Sequence, residues 1–296
     1  LDENGDLDLR CWVSLSGEQL DEAIARGFRT GTGNDRLRIG HVKFFADGGM
    51  GARTAWLYEP YLDAERGMSM VSISNLNAAI TRAESAGLAV MIHAVGDRAN
   101  GELIRMFEAR MKEKSDSGTD TESTLINHRI EHVQMIRPED IPRLARTGVA
   151  VSVQPHNMIL DMKMIDVSVG SRGRWTYAFR ELIDAGIPVM LSSDSPVCDP
   201  SPLIGIHAAV TRQRTDGTPS GGWYPESRIR VDEAIRGYTL TPASVHGLSD
   251  QLGSITVGKH ADLIVLDRNL YTIDPMEIVN AVVDMTIFDG RIVYSC

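Results

Sequence analysis

The sequence predicts an α/β fold of about six strand–helix units, a large share of the eight in a (β/α)8 TIM-type barrel, followed by a small β-domain. Short β-rich runs alternate with longer runs at helical spacing, which indicates a parallel sheet. Several strand-like runs are apolar throughout, as expected where both faces of a sheet are covered. After residue 250 the pattern changes to short β-branched runs with Gly turns, so we assign residues 1–250 to the barrel and 251–296 to the β-domain.

The predicted elements follow one another along the chain. Strands are predicted at residues 9–16, 37–47, 88–96, 124–134, 149–155 and 187–194. Helices are predicted at residues 17–27, 72–87, 97–114, 137–148, 176–186 and 202–214. Their limits rest on polar starts and glycine stops. The remaining long stretches, residues 48–67, 154–175 and 215–230, are predicted to be loops that set substrate choice, and residues 115–123 a solvated loop.

Charge and composition exclude several classes of partner. The net charge is −10 and no run of Lys or Arg occurs, so neither nucleic acid nor an anionic membrane is expected as a partner. No apolar run approaches the roughly 20 residues that cross a bilayer. Cys11, Cys198 and Cys296 are too scattered for a disulfide framework, which fits a cytoplasmic protein. The chain starts without Met, so the absence of a leader says little about export.

Four predicted strand ends carry a polar residue: Lys43, His93, His132 and Asp194. In parallel α/β folds the functional groups gather at these ends. His and Asp bind zinc and similar divalent metals, which lower the pKa of bound water towards ~7. A nearby carboxylate can take a proton from this water and pass it to a leaving nitrogen. A buried, deprotonated Lys43 can react with CO₂ to form a carbamate.

Each of these residues also has a structural interpretation. Lys43 can pair with a buried acid such as Asp47, and each His can be a satisfied core residue. Asp194 before Ser-Pro can be a loop or helix cap. Four strand ends with the same property favour a site over four separate coincidences.

Two further residues are predicted to touch the substrate. His156 follows another strand end, and Trp223 lies with Tyr224 in a loop that forms either part of a lid or an interface.

At these residues the chain resembles the amidohydrolase superfamily, in particular metal-dependent hydrolases similar to N-substituted formamide deformylases. The matching segments are "VKFFADGGMGARTA", "IHAVGDRAN", "RIEHVQ", "SSDSPV" and the tail "LTPASVHGL…GSITVGKHADLIVLD…DGRIVY". The resemblance implies that Lys43 is a carbamylated lysine bridging two metals, and that His93 and His132 bind the more exposed one. It implies that Asp194 binds the other metal and serves as general base and acid. Arg53, in the Gly-rich loop, is expected to face the substrate.

One departure from the family pattern is large. The His-X-His pair of the first barrel strand is absent, and the strand at residues 9–16 aligns with the third. We therefore expect a fragment with about barrel strands three to eight and part of the small β-sandwich. The complete protein is expected to hold one or two divalent metals, zinc first among them, and this chain fewer or none. Open sheet edges would also permit pairing into a homo-oligomer.

The leading hypothesis is a hydrolase of C–N bonds in small amides or cyclic amides, acting through a metal-activated hydroxide. One alternative is a non-catalytic barrel fragment that binds or regulates. Another is a metallopeptidase, because "HRIEH" matches the H-x-x-E-H pattern, although that chemistry needs a helix.

Overall fold

The structure, a computed structural model, describes residues 7–116 and 128–296. Its strands are β1 Cys11–Ser16, β2 Leu37–Phe45, β3 Val90–Ala94, β4 Arg129–His132, β5 Ala150–Val153, β6 Val189–Leu191, β7 Leu263–Leu266, β8 Val283–Phe288 and β9 Arg291–Ser295. Its α-helices are α1 Leu20–Ala25, α2 Ile73–Ser85, α3 Asp97–Asp116, α4 Ile141–Arg146, α5 Pro155–Val169, α6 Phe179–Asp184, α7 Pro202–Thr211, α8 Val231–Tyr238 and α9 Leu240–Val245.

The larger sheet has six strands in the order β1-β2-β3-β4-β5-β6, the order of the chain itself. The pairs from β2 to β5 are parallel, with Phe45 opposite His93 and His93 opposite Glu131. Helices separate the successive strands, as parallel connections require. The predicted α/β class is therefore confirmed.

Side chains alternate between the two faces of this sheet. On β3, Val90, Ile92 and Ala94 are fully buried, while Met91 and His93 between them are partly exposed. The buried positions belong to an apolar core that includes Leu103 of α3. Because successive strand residues point to opposite faces, the partly exposed positions share the other face. That face is available for polar chemistry.

The smaller sheet is antiparallel, in the order β7-β8-β9. It confirms a small β-structure in the tail, but the predicted β-rich run starts too early. Residues 254–258 carry no strand and lead instead into turns, with Gly258 at a φ of 95°. The predicted boundary at residues 250 and 251 stays a prediction.

The predicted loop at residues 154–175 is wrong in part, because α5 occupies Pro155–Val169. Buried apolar residues and charged residues are interspersed around this helix, so no clean amphipathic pattern marks it. The predicted strand at 124–134 and loop at 115–123 lie partly outside the described residues, and only β4 and the end of α3 can be compared.

The chain divides into two compact units. One comprises Trp12–Val153 and Asp161–Val189, and the other comprises residues up to Cys11 with Gln154–Leu160 and Met190–Cys296. Lys43, His93, His132 and Arg53 belong to the first unit; His156, Asp194 and Trp223 belong to the second. Across the described residues, none of the helices combines the length and the apolar character needed to cross a membrane.

Candidate metal and hydrolase site

Lys43, His93 and Glu131 lie on one face of the larger sheet. Lys43 and Phe45 are two residues apart on β2, Phe45 is opposite His93, and His93 is opposite Glu131. The Phe45 and His93 rings are 5.2 Å apart, and Lys43 Nζ lies 5.1 Å from the centre of the Phe45 ring. The structure therefore brings two of the predicted site residues, Lys43 and His93, together around an exposed phenylalanine.

His132 reaches the same group through an unusual backbone conformation. It is opposite Ala94, so strand alternation alone would point it away from His93. Its φ is 75° and that of Val133 is 43°, both in the left-handed region, which turns the chain at the strand end. The His132 ring then lies 4.5 Å from the His93 ring, edge to face.

His93 has a defined ring orientation. Its Nε2 lies 3.1 Å from the Gly48 carbonyl oxygen and 3.8 Å from Asp47 Oδ1. The carbonyl oxygen can only accept, so Nε2 carries the hydrogen and Nδ1 keeps its lone pair. The lone pair is the group that a metal requires of imidazole.

The two imidazoles fit part of a metal site. Neighbouring histidine rings at two strand ends supply two nitrogen donors of the type that zinc and related metals take. Within residues 7–116 and 128–296, no three His, Cys, Asp or Glu side chains cluster as a metal-ion site. Lys43 is not one of these four residue types, and it could bind a metal only as a carbamate. The donor chemistry therefore fits a divalent metal, with further ligands still required.

Asp47 is a buried carboxylate that sequence analysis treated only as a partner for Lys43. Its Oδ1 accepts from the Val95 amide at 2.9 Å, and its Oδ2 accepts from the amides of Gly96 and Trp56, each at 2.8 Å. Burial raises the pKa of Asp47 to about 6, while these hydrogen bonds act in the opposite direction. Asp47 thus ties the loops that follow β2 and β3, on either side of His93.

Glu131 is a second buried carboxylate that sequence analysis did not assign to the site. Burial acts to raise the pKa of Glu131, but the charges of Arg129 and Lys43 and hydrogen bonds from Arg129 and Ser152 hold it below its usual range. A charged carboxylate near Lys43 makes this face of the sheet polar. The sequence signal that could have identified Glu131 is a Glu within an apolar strand run, since Glu is rarely buried without a partner.

The two other histidines near these strands have structural contacts. His128 Nε2 lies 2.7 Å from Glu84 Oε1, and its Nδ1 accepts from the Val90 amide at 3.1 Å. His41 Nδ1 lies 3.5 Å from Arg129 Nη1. These contacts join His41 and His128 to α2, β3 and β4.

The metallopeptidase interpretation of "HRIEH" is wrong in its structural premise. Arg129–His132 form β4, not a helix, so the two histidines do not share a helix face. His128 binds Glu84, while His132 meets His93.

Arg53 is held by its own loop. Its Nε and Nη2 donate to the two carboxylate oxygens of Asp63, each at 2.8 Å, and its Nη1 donates to the Met50 carbonyl at 2.8 Å. Its φ is 57°, a left-handed conformation for a residue with a side chain. The predicted contact of Arg53 with substrate stays a prediction.

Asp194, in the second unit, follows β6 with an exposed side chain and a φ of 57°. Its carbonyl accepts from the Val197 amide at 2.8 Å, which closes a tight turn. In the same unit His156 lies in the first turn of α5, and its buried Nδ1 has no hydrogen-bond partner within the described residues. An unsatisfied buried nitrogen is costly, which favours a role for His156 in binding.

Trp223 is buried, with 7% of its surface exposed, rather than forming an open lid. Its amide donates to the Arg212 carbonyl at 2.8 Å, and Arg212 Nε donates to the Trp223 carbonyl at 2.6 Å. These contacts describe an anchored loop. The predicted substrate contact of Trp223 stays a prediction.

Comparison with known proteins gives one consistent family. The profile described as Amidohydrolase family matches residues 1–294. The putative amidohydrolase YtcJ of Bacillus subtilis is 32% identical over 88% of this chain and 48% of its own length. N-substituted formamide deformylase of Arthrobacter pascens is 28% identical over 88% of this chain and 46% of its own.

A solved structure agrees with these relatives. An uncharacterized metal-dependent hydrolase from Pyrococcus horikoshii is 31% identical, with a TM-score of 0.80 over 93% of this chain and 54% of that protein. The chain therefore spans about half the length of the proteins that it matches. The six parallel strands correspond to a curled half-barrel beside a small antiparallel sheet.

Proposed function

Because the chain belongs to the amidohydrolase family, we propose that it hydrolyses a C–N bond of a small amide, linear or cyclic, in a metal-dependent reaction. The observation that carries this proposal is the contact of the His93 and His132 rings at 4.5 Å, at the ends of neighbouring parallel strands. The similar proteins include one named a deformylase of N-substituted formamides and one named a metal-dependent hydrolase. Their names favour an amide as substrate and a metal as cofactor.

His93 and His132 would hold the metal, and Lys43 and Asp194 are proposed as further ligands. Zinc is the first candidate, because imidazole and carboxylate donors suit it. A divalent metal, when bound, supplies Lewis-acid polarisation and lowers the pKa of water. The Gly48 carbonyl keeps a hydrogen on His93 Nε2 and so orients the ring. Asp194 would take a proton and deliver it to the departing nitrogen.

Lys43 is proposed to be carbamylated, its deprotonated amine adding to CO₂ with loss of a proton. The carbamate would replace the ammonium charge with a carboxylate beside Phe45 and His93. Carbon NMR of the protein in isotopically labelled bicarbonate tests this step. A carbamate signal that is present in the wild type and lost in Lys43→Arg supports it, and no signal at full metal loading contradicts it.

Two finer aspects of the fold and setting remain proposals. The six strands are proposed to correspond to barrel strands three to eight, and the small sheet to part of a β-sandwich. A cytoplasmic location and a small-molecule substrate are proposed on composition and family.

Metal content and activity together test the proposed function. The protein is assayed on N-formyl and N-acyl amines before and after chelation, with bound metal measured by elemental analysis. We expect chelation to abolish turnover and added zinc to restore it. His93→Ala and His132→Ala should lose bound metal. The control variant His246→Ala should keep it, because the Nδ1 of His246 faces the Pro242 carbonyl at the end of α9. Full turnover without metal overturns the proposal. A wild type that has no bound metal and shows no turnover favours a binding module instead.

A further inference from the structure

The loop that carries Asp194 is held at two points by one short segment. Gln154 Nε2 donates to Ser192 Oγ at 3.0 Å, two residues before Asp194. Cys198 Sγ donates to Asn157 Oδ1 at 2.7 Å, four residues after it. All five residues belong to the same compact unit, so these contacts lie within one body.

One partner of each of these two hydrogen bonds is buried, whereas the turn between Ser192 and Cys198 is exposed. Gln154 is 2% exposed and Cys198 7%, while residues 194–197 are all exposed. Within the turn, the Ser195 amide donates to Ser193 Oγ at 3.3 Å and the Val197 amide to the Asp194 carbonyl at 2.8 Å. An exposed turn has more conformational freedom than buried structure, and fixing its two ends reduces that freedom.

Asp194 also has a conformation that needs support. A φ of 57° is unfavourable for a residue with a side chain and persists only where the surroundings enforce it. The part-buried contacts at Ser192 and Cys198 are well placed to enforce it.

We propose that Gln154 and Asn157 are positioning residues for Asp194, acting through Ser192 and Cys198. This inference rests on the proposed function, in which Asp194 moves a proton to the leaving nitrogen. A misplacement of about 1 Å at a catalytic group can cost roughly 100-fold in rate. His156 lies between the two positioning residues, so one segment places both the acid–base carboxylate and the proposed substrate contact.

Hydrogen exchange tests the anchoring without reference to activity. In the wild type, the amides of Ser195 and Val197 should be protected. Asn157→Ala and Cys198→Ala should speed exchange in the peptide covering residues 192–199 and leave the rest of the chain unchanged. Asn157→Asp, which keeps an acceptor oxygen, and Cys198→Ser, which keeps a donor, should restore protection. Leu160→Ala, an exposed change further along α5, is the control.

Kinetics tests the consequence for catalysis. At full metal loading, Asn157→Ala and Cys198→Ala should lower kcat about tenfold or more, with KM within about twofold. The two conservative variants should recover most of kcat. Gln154→Ala should behave like Asn157→Ala, and Leu160→Ala like the wild type.

The outcomes separate this inference from the proposed function. Unchanged exchange in residues 192–199 of both alanine variants overturns the anchoring, whatever the activity. Faster exchange with unchanged kcat overturns the positioning role while leaving the hydrolase intact. A wild type that binds metal yet turns over no amide refutes the proposed function, and with it the catalytic purpose of the anchors, although exchange still reports the anchors themselves.

Discussion

At the residue scale, three of the predicted site residues have left-handed backbone conformations. Arg53, His132 and Asp194 have φ values of 57°, 75° and 57°, and each ends a strand or lies in the loop after one. Such conformations cost of order 1–3 kcal/mol each and concentrate where function requires a particular direction. In His132 the benefit is visible, because the ring meets His93 only after the chain has turned.

Two substitutions of His132 distinguish the effect of losing the ring from the effect of backbone strain. We expect His132→Gly to be more stable than His132→Ala by about 1 kcal/mol, because glycine adopts positive φ without the Cβ penalty. Both variants lose the imidazole, so the difference reports the backbone. Urea unfolding followed by circular dichroism gives the two free energies. An alanine variant as stable as the glycine variant would show that the turn carries no strain.

At the element scale, the loops after β2 and β3 are joined by the Asp47 carboxylate and by a close backbone approach between Gly96 and Trp56. Asp47 accepts three amide hydrogens across these loops. A Cβ added to Gly96 would lie 2.1 Å from the Trp56 carbonyl oxygen and 2.7 Å from its amide nitrogen. Both contacts are with backbone, which cannot move aside cheaply.

We therefore expect Gly96→Ala to destabilise the fold by about 3 kcal/mol or more. The cost of overpacking against Trp56 adds to the cost of hydrogen bonds lost when the backbone shifts. Gly51→Ala is the matched control, because a Cβ there meets nothing within 4 Å and its surroundings are exposed. Thermal unfolding compares the two variants. Equal melting temperatures would mean that the loops can separate without loss.

A cluster around Glu84 ties α2 to α3 and to the start of β4. Arg110 and Lys114 of α3 and His128 all contact its carboxylate. Burial acts to raise the pKa of Glu84, but the hydrogen bond from His128, the charge of Arg110 and the hydrogen bond from Lys114 lower it to about 2, from 4.5.

This shift gives a pH dependence with a definite sign. The unfolded chain binds the proton near pH 4.5 and the folded chain only near pH 2, so protons favour unfolding between these values. The stabilisation is complete above pH 4.5 and is lost as the pH falls towards 2. Urea midpoints measured across this range should decline less steeply in Glu84→Gln than in the wild type. If the urea midpoints of the two proteins decline with pH at the same slope, Glu84 is not the cause of the pH dependence.

Much of the element order was predictable, because apolar runs and glycine stops mark β1 to β6 and most helices. The helix α5 was not, since apolar and charged residues alternate around it without one clear stripe. The strand-end residues Lys43 and His93 were found from sequence because alternation places them. The family resemblance implies that His132 and His93 lie close together, but the two positive φ angles that bring their rings together are set by tertiary structure and cannot be predicted from the sequence.

At the scale of the whole molecule, the tail presents an exposed edge strand. All five residues of β9 are exposed, and Ile292, Val293 and Tyr294 are among them at 61%, 39% and 50%. Apolar strands at a sheet edge favour pairing with other chains.

We expect the protein to associate as its concentration rises, and Ile292→Lys to reduce that association. A charge on an edge strand opposes pairing with a second strand. Sedimentation velocity at several concentrations measures the effect. Leu62→Lys, at an exposed apolar residue in a loop of the other unit, should leave association unchanged. If both variants behave alike, β9 is not the contact.

The strand order of the larger sheet bears on how the chain reaches its fold. Each strand from β2 to β6 is a neighbour of the strand made just before it. Every one of these strands emerging from the ribosome therefore finds its partner already synthesised, with a helical connection between them. Pairing each strand with its neighbour in sequence keeps the contact separations shorter than pairing it with a more distant strand would. The sheet can grow one strand at a time from the N-terminal side, and at each stage its last strand is the template for the next.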